Sequence, residues 1–412
     1  MTESARRLKH LPFFEEIASR DEATPEWRAA TAGLVALRLV DAWIDDGPHA
    51  IASDDWGVRS VRASIDEVDS NEKLRIILNA VVDVLECSTA IDLDVLAPRL
   101  MAYGQLLEYD SKWSLANDVY ASIIAHTHPV QEAEVATQAH LRRGFCLRQL
   151  GDISASLAAY QTAGNLSQSV GDLVGVLRAR IGEAKGAMAR GNLPQAREIL
   201  DETIERASRN GLSAVHAMAL HDRSSVSAMG GDYEVAIKLA YEALDLSESA
   251  RERDRILGDI ATAFMNLGVH SAARDAYLIL VATAQEQYMR WVATLNLLEL
   301  TASEGEELLF EQYRRSIELG ALPTELKAQY WLQSGTGYEL LGKHTEARTF
   351  LEKALTFAEE NELFQVVFQA EIALGNVGQT ATPTVPTLNA VVEERVGAIA
   401  ERLRQDRQKI GV

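Results

Sequence analysis

The sequence predicts an all-α repeat protein, and three observations carry that reading. The first is self-similarity. The stretch MGGDYEVAIKLAYEALDL (229–246) has near-copies in LGDISASLAAYQTAG, RGNLPQAREILDETI, LGVHSAARDAYLIL and LGKHTEARTFLEKAL. Aligned on the residue five positions after the turn, they fall at Ala116, Ser156, Ala196, Ala236, Ala273, Phe310 and Ala347. The spacings are 40, 40, 40, 37, 37 and 37 residues, and a fixed period in this range is the mark of a helical solenoid. The second observation is composition. Only nine prolines occur in 412 residues, and Ala, Leu and Glu are abundant, which favours helix. The third is punctuation: Gly151, Gly191, Gly231, Gly268 and Gly342 stand where a helix can close in the left-handed conformation without a Cβ penalty.

Taken in order, residues 1–96 read as a helical N-terminal region of diverged repeats that cap the array, since a terminal repeat must hide an otherwise exposed face. Within it, Thr24 is placed to cap a helix with Pro25 at its first position, and Asn71 to open a second. The stretch DGPHAIASDDWGVRS reads as the loop between them.

Residues 97–377 form about seven repeats of two helices each. The first helix ends at the turn glycine and the second carries the small anchor residue in its first turn. Four residues on stands a larger side chain (Tyr120, Tyr160, Leu200, Tyr277 or Leu351), and three further on another contact position such as Ala163, Ala243 or Ala354. Those spacings share one helical face. Twelve residues before the anchor come Gly104, Gly144, Ala184, Ser224, Ala261 and Gly335. Glycine costs about 1 kcal/mol against alanine inside a helix, so its recurrence there requires a close helix crossing. Phe310 departs from the pattern, and its repeat reads as degenerate.

Residues 378–387 read as a Thr/Pro linker. Residues 388–412 read as an amphipathic helix with Leu388, Val392, Val396, Ile399 and Leu403 on one stripe. That helix is expected to cap the array, or to bind another chain, as a homodimer or with a partner protein.

The pattern of Gly335, Tyr338, LGK at 341–343, Ala347, Leu351 and Ala354, matched around 144–163 and 224–243, resembles the tetratricopeptide repeat. The resemblance covers roughly residues 97–360 and implies a right-handed α-solenoid. The period exceeds the ~34 residues usual for this repeat. The surplus is expected in longer helices and in loops such as QSVGDL, SRNGLS and EENELF. Similar long units occur in bacterial peptide-pheromone receptors and in the sensor arms of signalling ATPases.

The resemblance implies that first helices line a groove, with positions 18, 15, 11 and 8 or 7 before the anchor facing it. In the second to fifth repeats this phase selects Arg148, Arg178, Lys185, His221, Arg255 and Asn266, with Arg142 one position off the stripe. Residues 137–190 hold seven basic side chains against three acidic ones, in a chain whose net charge is −20. This sign reversal points to an acidic partner. Met188, Met229 and Met265, together with Met101 and Met218, also lie on first helices, and methionine adapts to varied apolar partners.

The expected function is therefore a non-enzymatic scaffold or adaptor whose groove binds a peptide or helix of a partner protein. The alternative is a regulatory sensor, similar to the peptide-pheromone receptors, in which a small peptide changes solenoid curvature. The acidic balance disfavours direct nucleic-acid binding, and no compact three-helix reader with a basic recognition helix is evident. No run approaches the ~18 apolar residues of a membrane span, and no secretory signal is evident. A cytoplasmic location is expected.

No cofactor and no metal are expected. His126-Thr-His128 lacks a ligand cluster and reads as a solvated loop. Gly335-Thr-Gly337 lies inside a helix and reads as packing rather than a phosphate loop, as do Gly182 and Gly186. Cys87 and Cys146 read as reduced packing residues, and no catalytic constellation stands out.

Overall fold

A left-handed residue punctuates the chain five positions before every anchor: Ser111, Gly151, Gly191, Gly231, Gly268, Gly305 and Gly342, with φ between +57° and +82°. At each, the next backbone N–H reaches back to the carbonyl five residues earlier, as from Asp152 to Leu147 (3.0 Å) and from Asp232 to Ser227 (2.9 Å). This bond closes the preceding helix. Asp152 and Asp232 then turn their carboxylates to the amides of Ala155 and Val235 and open the next. The sequence thus writes the end of one helix and the start of its partner into two consecutive residues.

The structure, a computed structural model, describes residues 9–22, 24–46, 57–68, 71–87, 92–128, 131–361, 363–379 and 390–412. It divides into two units, residues 1–203 and 204–412. The first contains α1 (Leu11–Ala18), α2 (Pro25–Asp46), α3 (Val58–Asp66), α4 (Glu72–Cys87), α5 (Leu93–Tyr109), α6 (Trp113–His126), α7 (Ala133–Gln149), α8 (Ile153–Ser169) and α9 (Leu173–Ala189). The boundary falls within α10 (Leu193–Arg209). The second contains α11 (Ser213–Met229), α12 (Tyr233–Leu246), α13 (Ala250–Leu267), α14 (His270–Thr283), α15 (Gln287–Ser303), α16 (Glu307–Ser316), α17 (Thr324–Leu340), α18 (His344–Glu360), α19 (Phe364–Asn376) and α20 (Ala390–Ile410). No strand occurs among the described residues.

Within each unit a helix packs chiefly on its sequence neighbours, the arrangement of a helical repeat array. The recurrent glycines explain the crossings. A Cβ on Gly104 would lie 2.5 Å from Tyr120, one on Gly144 2.8 Å from Tyr160, and one on Gly335 2.6 Å from Leu351. In each pair the large side chain of the second helix occupies the space the missing Cβ leaves. Gly182 extends the rule, because its Cβ would strike the same Tyr160 ring from the following repeat. The oversized Phe310 anchor is accommodated similarly: it is fully buried against Gly337 and meets the Tyr338 ring edge-on at 5.1 Å.

Several expectations are refined. The long period resides in the helices, since α7 to α11 each have 17 residues. QSVGDL and SRNGLS are tight turns, closed by left-handed Gly171 and Gly211. Thr24 and Asn71 do cap α2 and α4, accepting from the amides of Trp27 and Leu74. Val58, Arg59 and Ser60, expected in a loop, begin α3. Cys87 is exposed rather than packed. Residues 380–389, most of the expected linker and Leu388 with it, lie outside the described residues, as does the side chain of Val392.

The first unit's core gathers Phe13, Trp43, Tyr103 and Tyr120 from α1, α2, α5 and α6. In the second, α20 packs on α12 and α14, more than a hundred residues back along the chain. Val396 and Leu403 of its stripe are buried in that core, with Ile399 beside them. No described helix is long and apolar enough to cross a membrane.

Candidate functional site

Consecutive first helices touch through polar pairs one repeat apart. In the first unit, Arg142 of α7 lies 3.1 Å from the buried Glu108 of α5, and Arg178 of α9 donates to Gln138 of α7 at 2.9 Å. Gln138 and Arg178 occupy the same repeat position forty residues apart. Burial raises the Glu108 carboxyl above its usual range, opposed by Arg142 and by a 2.7 Å hydrogen bond from Tyr120. Burial, together with the nearby Arg142 charge, lowers the proton affinity of Arg178.

The predicted basic residues therefore have different settings. Arg142 and Arg178 are close enough to feel each other's charge. Lys185, two turns after Arg178, is half-buried and engaged. Arg148 instead lies over Phe145 of its own helix, 5.4 Å from the ring centre, with its Nε buried and without a hydrogen-bond partner among the described residues. Met188 is half-buried.

In the second unit, His221 pairs with Asp259 of the next first helix at 2.7 Å. Arg255 and Asn266 turn to their own helix, to Glu252 at 3.5 Å and the Thr262 carbonyl at 2.8 Å. Met229 is exposed, and Met265 packs against the core.

The same unit holds a cavity of about 630 Å³. Three successive first helices, α15, α17 and α19, contribute its walls, with Tyr288, Val292, Asn296, Gln329, Gln333 and Phe364 prominent among the lining side chains. Gln333 donates to Glu299 at 3.3 Å, while its carbonyl oxygen is buried and has no hydrogen-bond partner among the described residues. Desolvation by the helices packed around it pushes the Glu299 carboxyl upward although the side chain itself stays exposed, and that hydrogen bond opposes the shift. Aromatic walls with carboxamides at their base suit a peptide, whose backbone needs both a donor and an acceptor.

Residues 328–361 match the family model of the tetratricopeptide repeat. The chain carries a tetratricopeptide repeat. That segment spans most of α17 and α18, and the same left-handed turn recurs at each of the other anchors. No curated protein matches the sequence.

Among solved structures, the chain is similar to a Rap protein complexed with Competence and Sporulation Factor. The identity is 11% over 89% of this chain and 99% of that one, with a TM-score of 0.43. It is similar to the apo quorum sensor NprR from B. thuringiensis at 12% identity, over 84% of this chain and 92% of that one, with a TM-score of 0.46. It is also similar to a signal transduction ATPase with a tetratricopeptide repeat sensor from Pyrococcus horikoshii. There the identity is 11% over 98% of this chain and 66% of that one, with a TM-score of 0.45.

The first three positions of the phase rule, carried to the Phe310 and Ala347 anchors, select Val292, Leu295, Glu299, Gln329, Leu332 and Thr336, of which Val292, Leu295 and Gln329 line the cavity. A search for basic charge passes over them because they are apolar, acidic or neutral. A second cluster left no local signal at all. His10, at the start of α1, bonds Asp118 and Asp41, and His126 bonds Asp41 at 2.8 Å. His126 is thus a packed ion-network residue rather than part of a solvated loop. Cys146 lies 3.9 Å from Glu108, and burial with that carboxylate pushes its thiol up to about 12, which leaves it unreactive near neutral pH.

Proposed function

We propose that this protein is an interaction module that holds a peptide segment or short helix of a partner protein against the first helices α15, α17 and α19. The carrying observation is the cavity itself, walled by the exposed rings of Tyr288 and Phe364 and by Val292, with the carboxamides of Asn296 and Gln329 in its lining. The Asn296 and Gln329 carboxamides would meet the peptide backbone, and side chains of the peptide would cover the aromatic walls. Such a module acts as a scaffold or adaptor. The test is selection of peptides from a randomised displayed library against the full chain. Hydrogen exchange with a selected peptide bound should then slow amides in α15, α17 and α19. Protection confined to other helices would refute the reading.

A second surface is favoured by the setting of Arg178. Its guanidinium is held by the neutral Gln138 beside the like charge of Arg142, so an anionic group of an acidic segment would relieve that repulsion. Selected acidic peptides that bind more weakly as salt rises would support this reading. Undiminished binding to an Arg178→Glu, Lys185→Glu chain would remove it.

A further inference from the structure

Helix α20 is an amphipathic element that packs more than a hundred residues back along the chain, and its contacts define a helix-binding face. Three of its basic residues pair with acids of α12 and α14. Arg395 lies 3.4 Å from Glu234 and Arg402 3.5 Å from Asp245. Arg407 lies 3.1 Å from the buried Asp275, an ion pair without hydrogen-bond alignment. Arg402 also covers the Tyr241 ring at 5.4 Å. Between these charges Val396 and Leu403 enter the core and Ile399 lines it. The order of the pairs along α12 shows that α20 runs parallel to it.

Two properties set this contact apart from the repeats. It falls on second helices, whereas the cavity of the second unit falls on first helices. Each of its three ion pairs also has the same sense, with Arg on α20 and Asp or Glu opposite. Within a repeat the two helices instead cross through glycine and alanine.

We propose that the α12/α14 face is a second docking site, for a basic amphipathic helix of a partner protein, and that α20 occupies it in cis as a displaceable latch. The occupant's chemistry is read from α20 itself: apolar residues at i, i+3 and i+7, flanked by basic residues at i−1, i+6 and i+11. A tethered helix competes at an effective concentration of the order of millimolar, so the site is closed to weak ligands while α20 keeps its ion pairs. Weakening those pairs opens it. The proposal is independent of the first-helix cavity.

The test uses the full chain and a fluorescein-labelled peptide of residues 390–412 as the probe, read by anisotropy. The double variant Arg402→Glu, Arg407→Glu should bind the peptide at least about tenfold more tightly than the wild type. Adding Glu234→Lys and Asp245→Lys should abolish the gain, and added salt should weaken it. Leu403→Ala, a milder opening, should give the same order, with circular dichroism confirming the helical fold of each variant. Equal affinity of wild-type and opened chains, including no binding to either, would overturn the proposal. So would an opened variant that ignores the peptide and doubles in mass by light scattering, because α20 would then be exchanging between two copies.

Discussion

His10 and Asp118 face each other with Nδ1 and Oδ2 2.6 Å apart, and the other ring nitrogen of His10 lies 3.2 Å from Asp41. The pairs tie the start of α1 to α6 and α2, and Lys112–Glu16 (2.8 Å) adds a third tie. Burial disfavours the charged imidazole, but the bonds to Asp118 and Asp41 outweigh it and raise the His10 pKa from 6.5 to about 9. Asp41 is buried too, yet its bonds from His10 and His126 hold its carboxyl well below the usual range.

A stability profile with pH follows. The folded pKa of His10 is raised, so its contribution is fully present below about 6.5 and lost as pH rises toward about 9. Asp41 acts in the opposite sense, and its contribution is lost only in acid. The thermal midpoint should therefore fall between pH 6.5 and 9, and Asp41→Ala should flatten that slope while removing about 3–5 kcal/mol. A slope unchanged in the variant would dissociate the cluster from the effect.

The turn preceding the first anchor carries strain. Ser111 adopts φ +57° where six other repeats place glycine. Ser111→Gly should raise stability by up to about 1 kcal/mol, after the larger entropy of the unfolded glycine is subtracted. Chemical denaturation measures this directly, and a destabilised variant would show that the serine side chain supplies a bond that offsets the backbone strain.

Tyr160 is clasped between Gly144 and Gly182 of successive first helices. Gly182→Ala should cost about 1–3 kcal/mol through overpacking, despite alanine's better helix propensity. Ala236→Leu should fall in the same range, because Ala236 is only 3% exposed in the crossing of α11 with α12. A neutral or stabilised Gly182→Ala would mean that the crossing is looser than its geometry implies.

The repeat was legible because its determinants are local. Gly151 and Asp152 close one helix and open the next within two residues, and Gly144 meets Tyr160 within sixteen. The candidate site was less legible, because its residues come from three helices and carry no common charge. Val292 and Gln329 hold the same repeat position but differ in chemistry, so only the phase joins them. The His10–Asp41–Asp118–His126 cluster spans more than a hundred residues with no periodic marker. The docking of α20 left a stripe in the sequence, yet nothing in the stripe indicated α12 and α14 as its seat. Arg178 shows the reverse failure: its charge was conspicuous, whereas its half-buried setting against Gln138 depends on the fold.

The central claim is that the face of α15, α17 and α19 holds the partner. It is tested most directly by the affinity of a library-selected peptide for the wild type and for a Tyr288→Ala, Phe364→Ala chain. Both side chains are exposed, at 44% and 75%, so stability should change by less than about 0.5 kcal/mol per site. Aromatic anchors dominate binding energy, and the account predicts a loss of at least about tenfold, or 1.4 kcal/mol. An unchanged affinity in the folded variant would contradict it.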